Sequence, residues 1–388
     1  MRDKKTIGVV GAGVMGTGIA QVAAQAGHPV VIVDTDAAAR ERSRGSLEAV
    51  LTRLVEKGRL AAGGDDEILR HIAYTGSLND LGDCALVVEA VVERADVKED
   101  VFGQLARVAP EAVLATNTSS LSVTAIAASC DDPGRVVGAH FFNPVPLMSL
   151  VEVVPAMQTR GEVADAVCGL LESWGKITVR AKDTPGFIVN RVARPFYGEA
   201  LRLFDEGVAD VATIDEAMRT VGGFRMGPFE LMDLIGNDVN YAVTESVFTA
   251  FYGDARYRPS FTQKRMVEAG RFGRKSGRGF YEYKEGTRRP APSGDMALHR
   301  QICDRVVTML INEAADAVFW RVASPADVDV AMTKGVHYPK GLLAWCDELG
   351  AGTVLDRMRK LSARYGEDRY RASVLLTGMA EDGGRFFG

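Results

Sequence analysis

The sequence predicts a doubly wound α/β domain followed by an all-α domain with an internal duplication, and three observations carry that expectation. Up to Lys182, short β-branched runs alternate with longer segments of helical period. Beyond it the strand pattern fades and helical period dominates. The rear half also matches itself, without a gap, at a constant offset of 114 residues.

In the front half, strands are expected at residues 6–10, 30–34, 86–89, 113–115, 136–140, 151–154 and 177–179. Helices are expected at 14–26, 36–57, 96–108 and 162–174. Apolar strands of this kind suit a parallel sheet covered on both faces. Asp183-Thr184-Pro185-Gly186 forms a turn, and a polar stretch at 285–295 rich in Pro, Gly and Arg reads as a linker. Three domains follow: 1–183, then a helical unit at 184–286, then its repeat at 287–388. The offset pairs Arg191 with Arg305, Glu199 with Glu313, Asp215 with Asp329, Gly227 with Gly341, Asp233 with Asp347 and Gly236 with Gly350.

With 388 residues, 47% of them hydrophobic and 25% charged, the chain has a globular composition and is neither disordered nor a disulfide scaffold. A formal charge of -5 argues against a general nucleic-acid binder. The cysteines Cys84, Cys130, Cys168, Cys303 and Cys346 form no metal-type or C-x-x-C cluster, which fits a reduced compartment and no metal. The basic start, Met1 to Lys5, runs straight into an apolar stretch too short for a signal segment or membrane span, so a cytoplasmic protein is expected.

Gly11-Ala12-Gly13-Val14-Met15-Gly16 follows the first strand and opens a helix, the context in which G-x-G-x-x-G marks a Rossmann-type dinucleotide site. Gly11 serves the tight turn, Gly13 the approach of a pyrophosphate and Gly16 the packing of helix on strand, while the first helical amides face the anion. Asp34 ends the second strand, 23 residues after Gly11, where a carboxylate accepts from ribose hydroxyls. With no Arg there to receive a 2′-phosphate, NAD is expected rather than NADP. Taken alone, Asp34 also fits an N-cap.

His140 ends a strand and is followed by Phe141-Phe142-Asn143-Pro144, which places it at the sheet rim where ligands bind in such folds. Alcohol oxidation needs a base within reach of the hydroxyl, and imidazole has a suitable pKa. Glu152 interrupts an otherwise apolar strand and so calls for a partner; pairing with His140 would fix its tautomer. Asn117-Thr118-Ser119-Ser120 follows another strand at the same edge, where Ser120 or Ser122 also suits a helix N-cap. Asn190 sits among apolar residues at the start of the rear domain; it either bridges backbone groups or orients a substrate carbonyl, and spacing does not decide between them.

At these residues the chain resembles the 3-hydroxyacyl-CoA dehydrogenase family. The matching stretches are 11–16, 88–93, 117–121, 140–146, 151–153, 183–191, 226–231 and 272–283, covering about residues 5–284 in family order. The rest is similar to the second C-terminal copy of longer members. The resemblance implies His140 as general base, Glu152 as its partner, Ser119 as ligand of substrate oxygen and nicotinamide, and Asn190 as an orienting residue. It places Glu93, Lys98, Asn143 and Lys275 at positions that touch NAD, and coenzyme A under the helices after Asp34. Those helices carry Arg40, Arg42, Arg44, Arg53, Lys57 and Arg59, either a solvated face or a phosphate site, with Lys57 the chosen residue. In members with one helical unit that unit supports a dimer, so this chain is either a homodimer or a monomer whose second copy replaces the partner. Longer members act on 3-hydroxyadipyl-CoA or reduce acetoacetyl-CoA. Competing readings are a dehydrogenase of a free hydroxy or sugar acid, of the gulonate type, and a non-catalytic NAD-binding protein.

Overall fold

The computed structural model describes residues 4–388, so the first three residues of the basic start lie outside the described part. The chain divides into two compact units, Met1–Thr184 and Pro185–Gly388.

The first unit is built on one sheet of eight strands: β1 (Ile7–Val10), β2 (Val30–Val33), β3 (Ile72–Thr75), β4 (Leu86–Glu89), β5 (Val113–Thr116), β6 (Val136–Phe141), β7 (Leu150–Pro155) and β8 (Ile177–Arg180). Their order is β3-β2-β1-β4-β5-β6-β7-β8. Helices α1 (Val14–Gln25), α2 (Ala37–Glu56), α3 (Gly64–Arg70), α4 (Ala95–Val108), α5 (Val123–Ala127) and α6 (Gly161–Ser173) connect and cover the strands. β1 and β4 are buried along their whole length, as their unbroken apolar runs require.

Two expectations need correction. There are eight strands rather than seven, because β3 was not expected: it is a half-exposed edge strand with a single neighbour, β2, and its sequence, Ile-Ala-Tyr-Thr, has no buried run to mark it. The sheet is also not wholly parallel, since β7 runs antiparallel to β6. Only residues 142–149 separate the two strands, and a parallel crossover needs a dozen residues or more. The chain therefore returns as a wide hairpin, and His140 comes to lie directly opposite Glu152.

The second unit is all helix apart from isolated bridges: α7 (Val189–Val192), α8 (Arg194–Asp205), α9 (Val211–Thr220), α10 (Pro228–Ile235), α11 (Asn237–Ala250) and α12 (Phe261–Glu268), then, beyond the exposed linker, α13 (Met296–Phe319), α14 (Pro325–Gly335), α15 (Leu342–Leu349), α16 (Ala351–Tyr365) and α17 (Val374–Asp382). The repeat is visible in its hydrogen bonds. Asp215 accepts from the amides of Phe229 and Glu230 at 2.9 and 3.0 Å; at the same offset, Asp329 accepts from Leu343 and Ala344 at 2.9 Å each. A Cβ at Gly227 or Gly341 would lie 2.3 or 2.1 Å from the respective carboxylate, which is why both copies keep glycine there. Asp233 and Asp347 each hold an aromatic pair by its amides, Phe280 and Tyr281 in one copy, Phe386 and Phe387 in the other.

The two copies are joined by reciprocal buried ion pairs. Glu313 accepts from Arg191 (2.6 Å), Arg256 (3.3 Å) and Tyr257 (2.6 Å) of the first copy. Glu199, its counterpart, accepts from Arg305 (2.9 Å), Arg369 (3.0 Å) and Tyr370 (3.1 Å) of the second. Residue i meeting j while j′ meets i′ is the signature of a two-fold interface, here formed within one chain. Both carboxylates are almost fully buried; Arg191 and Arg256 also pair with Asp316 and Arg305 with Glu206, whereas buried Arg369 pairs with Glu199 alone among the described residues. Glu199→Ala, which leaves buried Arg369 without a carboxylate, should cost about 3–5 kcal/mol in denaturant unfolding, whereas Glu268→Ala, at an exposed pair, should change stability by less than about 0.5 kcal/mol. Equal effects would contradict a structural role for the reciprocal pairs.

Candidate active site

At the carboxyl edge of the sheet, the glycine turn has the form its three roles require. Gly11 adopts φ +107, and a Cβ there would meet the Ala90 carbonyl at 2.6 Å. Gly13 is the N-cap of α1, has no side-chain cap, and faces open space where its Cβ would be. Gly16 lies so close to the Gly11 carbonyl that a Cβ would sit 1.9 Å from it. The turn thus leaves backbone amides and room at Gly13 for a pyrophosphate, with Val14 and Met15 opening the helix behind it. Asp34 holds this turn in place: Oδ2 accepts from the Ala12 amide at 2.8 Å and Oδ1 from Asp36 at 2.9 Å. Asp36, not Asp34, caps α2. The carboxylate of Asp34 keeps lone pairs for ribose hydroxyls. One expectation is overturned here, since an Arg does lie beside Asp34: Arg40 donates to the Asp34 carbonyl and packs against Gly76. That bond engages Arg40 locally, and the neighbouring Asp34 carboxylate disfavours a 2′-phosphate.

Next to the turn, Glu93 organises the serine loop. Its Oε1 accepts from the hydroxyls of Thr118 (2.7 Å), Ser119 (3.2 Å) and Ser120 (3.1 Å) and from the amides of Ser119 and Ser120. Partial burial would raise its carboxyl pKa, but Lys98, Thr118 and the Ser119 amide outweigh that and hold it below the ordinary value. Lys98 is 1% exposed and bonds Glu89 at 2.6 Å and Glu93 at 3.3 Å. It therefore lies beneath the loop, fixing Glu93 from below. Glu89, fully buried at the end of β4, also accepts from Thr116 (2.8 Å) and the Val91 amide (2.7 Å).

Sequence reasoning gave Glu89 and Thr116 no role, although the signal that singled out Glu152, a carboxylate in an apolar strand, applies to Glu89 as well. The helix after the loop, α5, is capped by Ser122 and anchored by Asp183, which accepts from Ser122, Val123 and Thr124. Asn117 accepts from the Phe141 amide at 2.8 Å and so ties the end of β5 to the end of β6.

His140 and Glu152 meet as the register of β6 and β7 dictates: Nδ1 lies 2.6 Å from Oε2, with the carboxylate fully buried and the imidazole nearly so. Phe142 packs against the imidazole with ring centroids 4.5 Å apart. An Nδ1–H donated to Glu152 leaves Nε2 as the basic nitrogen of the neutral ring. Asn143, just beyond, is exposed and precedes a cis peptide bond to Pro144.

The basic stretch splits into two groups. Near Asp34, Arg42 pairs with Asp36 and Arg44 lies over the Tyr74 ring. At the far end, Arg53, Lys57 and Arg59 are exposed and have no ion pair among the described residues. α2 buries only Ser43, Leu47 and Leu51, one narrow stripe, so its remaining faces are exposed or half-buried. In the second unit, Asn190 is half-buried on α7. Lys275 lies 2.7 Å from Asp238, so its ammonium is already paired within that unit.

A buried base at the rim of a sheet whose first turn is shaped for a pyrophosphate is what an NAD-dependent alcohol dehydrogenase requires. The chain belongs to the 3-hydroxyacyl-CoA dehydrogenase family: the family's NAD binding domain matches residues 6–184, and its C-terminal domain matches 186–283 and 302–385. It is 40% identical to a 3-hydroxyadipyl-CoA dehydrogenase of Escherichia coli across 97% of each chain. It is 45% identical to a probable 3-hydroxybutyryl-CoA dehydrogenase of Deinococcus radiodurans, over 71% of this chain and 99% of that one. The crystal structure of an Escherichia coli 3-hydroxybutyryl-CoA dehydrogenase superposes with a TM-score of 0.93 at 38% identity, covering 97% of this chain and 98% of that one.

The glycine turn yields a paired test. Gly13→Val should leave the melting temperature unchanged, because the site is open and its backbone extended, while abolishing NADH binding in a fluorescence titration. Gly16→Ala should lower the melting temperature by several degrees, about 2 kcal/mol or more. The reverse pattern would contradict the assigned roles.

Proposed function

We propose that this protein catalyses the reversible, NAD-dependent oxidation of an (S)-3-hydroxyacyl-CoA to the 3-oxoacyl-CoA. The observation that carries the reading is the His140–Glu152 pair at 2.6 Å across the only antiparallel step in the sheet. His140 Nε2 takes the hydroxyl proton. The Glu152 carboxylate holds Nδ1–H and stabilises the imidazolium that results. Ser119 holds the substrate oxygen, its loop fixed by Glu93, and Asn190 of the second unit orients the substrate. NAD supplies the hydride acceptor when bound, with Gly11, Gly13, Gly16 and Asp34 holding it. Asn143 and Lys275 are assigned to NAD contacts by family position, and Glu93 and Lys98 serve the same end through the loop they hold. Lys57, with Arg53 and Arg59, takes the coenzyme A phosphates; it is their exposed, unpaired charge that supports this.

Catalysis of this kind depends on a positioned base, a contribution of about 10²–10⁴ in rate. His140→Gln should bind NADH as the wild type does and lose about 10³-fold in kcat for acetoacetyl-CoA reduction followed by absorbance. Near-normal turnover would reject His140 as the base.

The chain acts as a monomer, with the second helical copy in the place of a partner subunit. The reciprocal Arg191–Glu313 and Arg305–Glu199 pairs support this, since they use up the matching faces of both copies. Light scattering at micromolar concentration should give the single-chain mass of 41.8 kDa; a stable dimer would contradict it. No helix among the described residues is long and apolar enough to cross a membrane. A cytoplasmic location is supported by five cysteines that are all free thiols.

A further inference from the structure

A buried cation stands behind the loop that joins the two catalytic strands. Lys176 lies between α6 and β8, is 7% exposed, and has no carboxylate partner among the described residues. Its Nζ donates to the Val145 carbonyl at 2.5 Å and to the Met148 carbonyl at 2.8 Å. Both carbonyls belong to the loop 142–149, which joins the strand of His140 to the strand of Glu152. An ammonium taken out of water without a counterion is costly, and methionine or leucine would fill the same space without that cost. The charge therefore has a task that packing alone does not perform.

The loop is gripped from two sides. On one side Lys176 holds its carbonyls, and the next residue, Ile177, donates its amide to the Ser149 carbonyl at 2.8 Å. On the other side Val145 is 1% exposed and seated against α1, so that a Cβ at Gly18 would lie 2.9 Å from the Val145 Cβ. Within the loop, the Pro144 carbonyl accepts from the amides of Leu147 and Met148 at 2.9 and 3.0 Å, which closes a turn and leaves the carbonyls of Val145 and Met148 to the ammonium. Phe142, which opens the loop, packs on the His140 imidazole. A shift at Val145 thus reaches the base through three residues of backbone, and a shift at Met148 reaches β7 and Glu152 through two.

We propose that Lys176 is a positioning residue for hydride transfer, its ammonium clamping the loop 142–149 so that Phe142, His140 and Glu152 keep the geometry that proton transfer needs. It acts through the loop and not on the reacting atoms, and the inference rests on the reading of His140 as the base. The surroundings make the clamp sensitive to pH. Burial pushes the Lys176 ammonium down to about 8. A cavity of about 360 Å³ bordered by α1, the loop and the end of α6 reaches Lys176, and Lys176 is the one charged residue lining it. α1 and the loop contain no charged residue, and the one on β7, Glu152, is bonded to His140. Glu172 of α6 accepts from Thr178, and His28, edge-on to Trp174, donates from Nδ1 to the Lys5 carbonyl. Neutral lysine keeps two N–H groups but loses the charge assistance that makes such bonds about twice as strong.

The test is the pH dependence of kcat for NAD-dependent oxidation of 3-hydroxybutyryl-CoA by the wild type, Lys176→Arg and Lys176→Met. The wild-type rate should rise along an acid limb set by His140 and fall again above about pH 8 as the clamp loses its charge. Lys176→Arg, charged throughout, should remove the alkaline limb and keep kcat at neutral pH within about fivefold of the wild type. Lys176→Met should lower kcat at neutral pH about tenfold or more, change KM for the acyl-CoA by less than about threefold, and show no alkaline limb. A lysine that only stabilised the fold would alter the melting temperature and leave the pH profile as it was. An alkaline limb unchanged in Lys176→Arg, or wild-type kcat in Lys176→Met, would overturn the clamp while leaving the dehydrogenase reading intact; the arginine variant decides the matter if the methionine variant does not fold. A wild-type profile without the acid limb would overturn the reading of His140 as base, and the clamp with it.

Discussion

The catalytic unit depends on one antiparallel pairing. Every other neighbour in the sheet runs parallel, which sends successive strands through helices and separates their partners in sequence. Between β6 and β7 the connection is too short for that, and the return puts a carboxylate and an imidazole side by side on one face. Glu152 is wholly buried. A carboxylate in that position is tolerable only with a hydrogen-bonding partner, and the same bond that satisfies it dictates which nitrogen of His140 is basic. Stability and chemistry are met by one contact of 2.6 Å.

The rest of the rim is organised by carboxylates with fixed donors, of which Glu89 is fully buried, Asp34 half-buried and Glu93 exposed. Asp34 binds the glycine turn, Glu89 and Lys98 support Glu93, and Glu93 gathers the serine loop. Each acid ends or follows a strand, so each is placed by the sheet rather than by a flexible loop. In the helical unit, Glu199 and Glu313 do the corresponding work between repeats, with charges that would be costly if left alone and are satisfied by three donors apiece.

Much of this was legible in the sequence. The strand-turn-helix at Gly11–Gly16, the pairing of His140 with Glu152 and the 114-residue repeat all leave patterns that follow from periodicity or from a polar residue in an apolar run. What was not legible depends on contacts far apart in the chain. β3 is too short and too half-exposed to announce itself, the direction of β7 is set by loop length, and Lys98 looks like a surface lysine on α4 until its 1% exposure is known. Arg40 was read with the basic helix face, yet the bend after β2 returns it to Asp34. The exchange of partners between Arg191, Glu313, Arg305 and Glu199 could not be inferred from the repeat alone, because an offset shows likeness and not contact.

The central claim is that Glu152 holds His140 in the tautomer protonated at Nδ1, with Nε2 as base. Nitrogen NMR of the protein labelled with 15N-histidine reads this directly at a pH where the ring is neutral. A protonated Nδ1 and an unprotonated Nε2 at His140, with the pattern lost in Glu152→Gln, are the expected result; a ring protonated at Nε2 would contradict it.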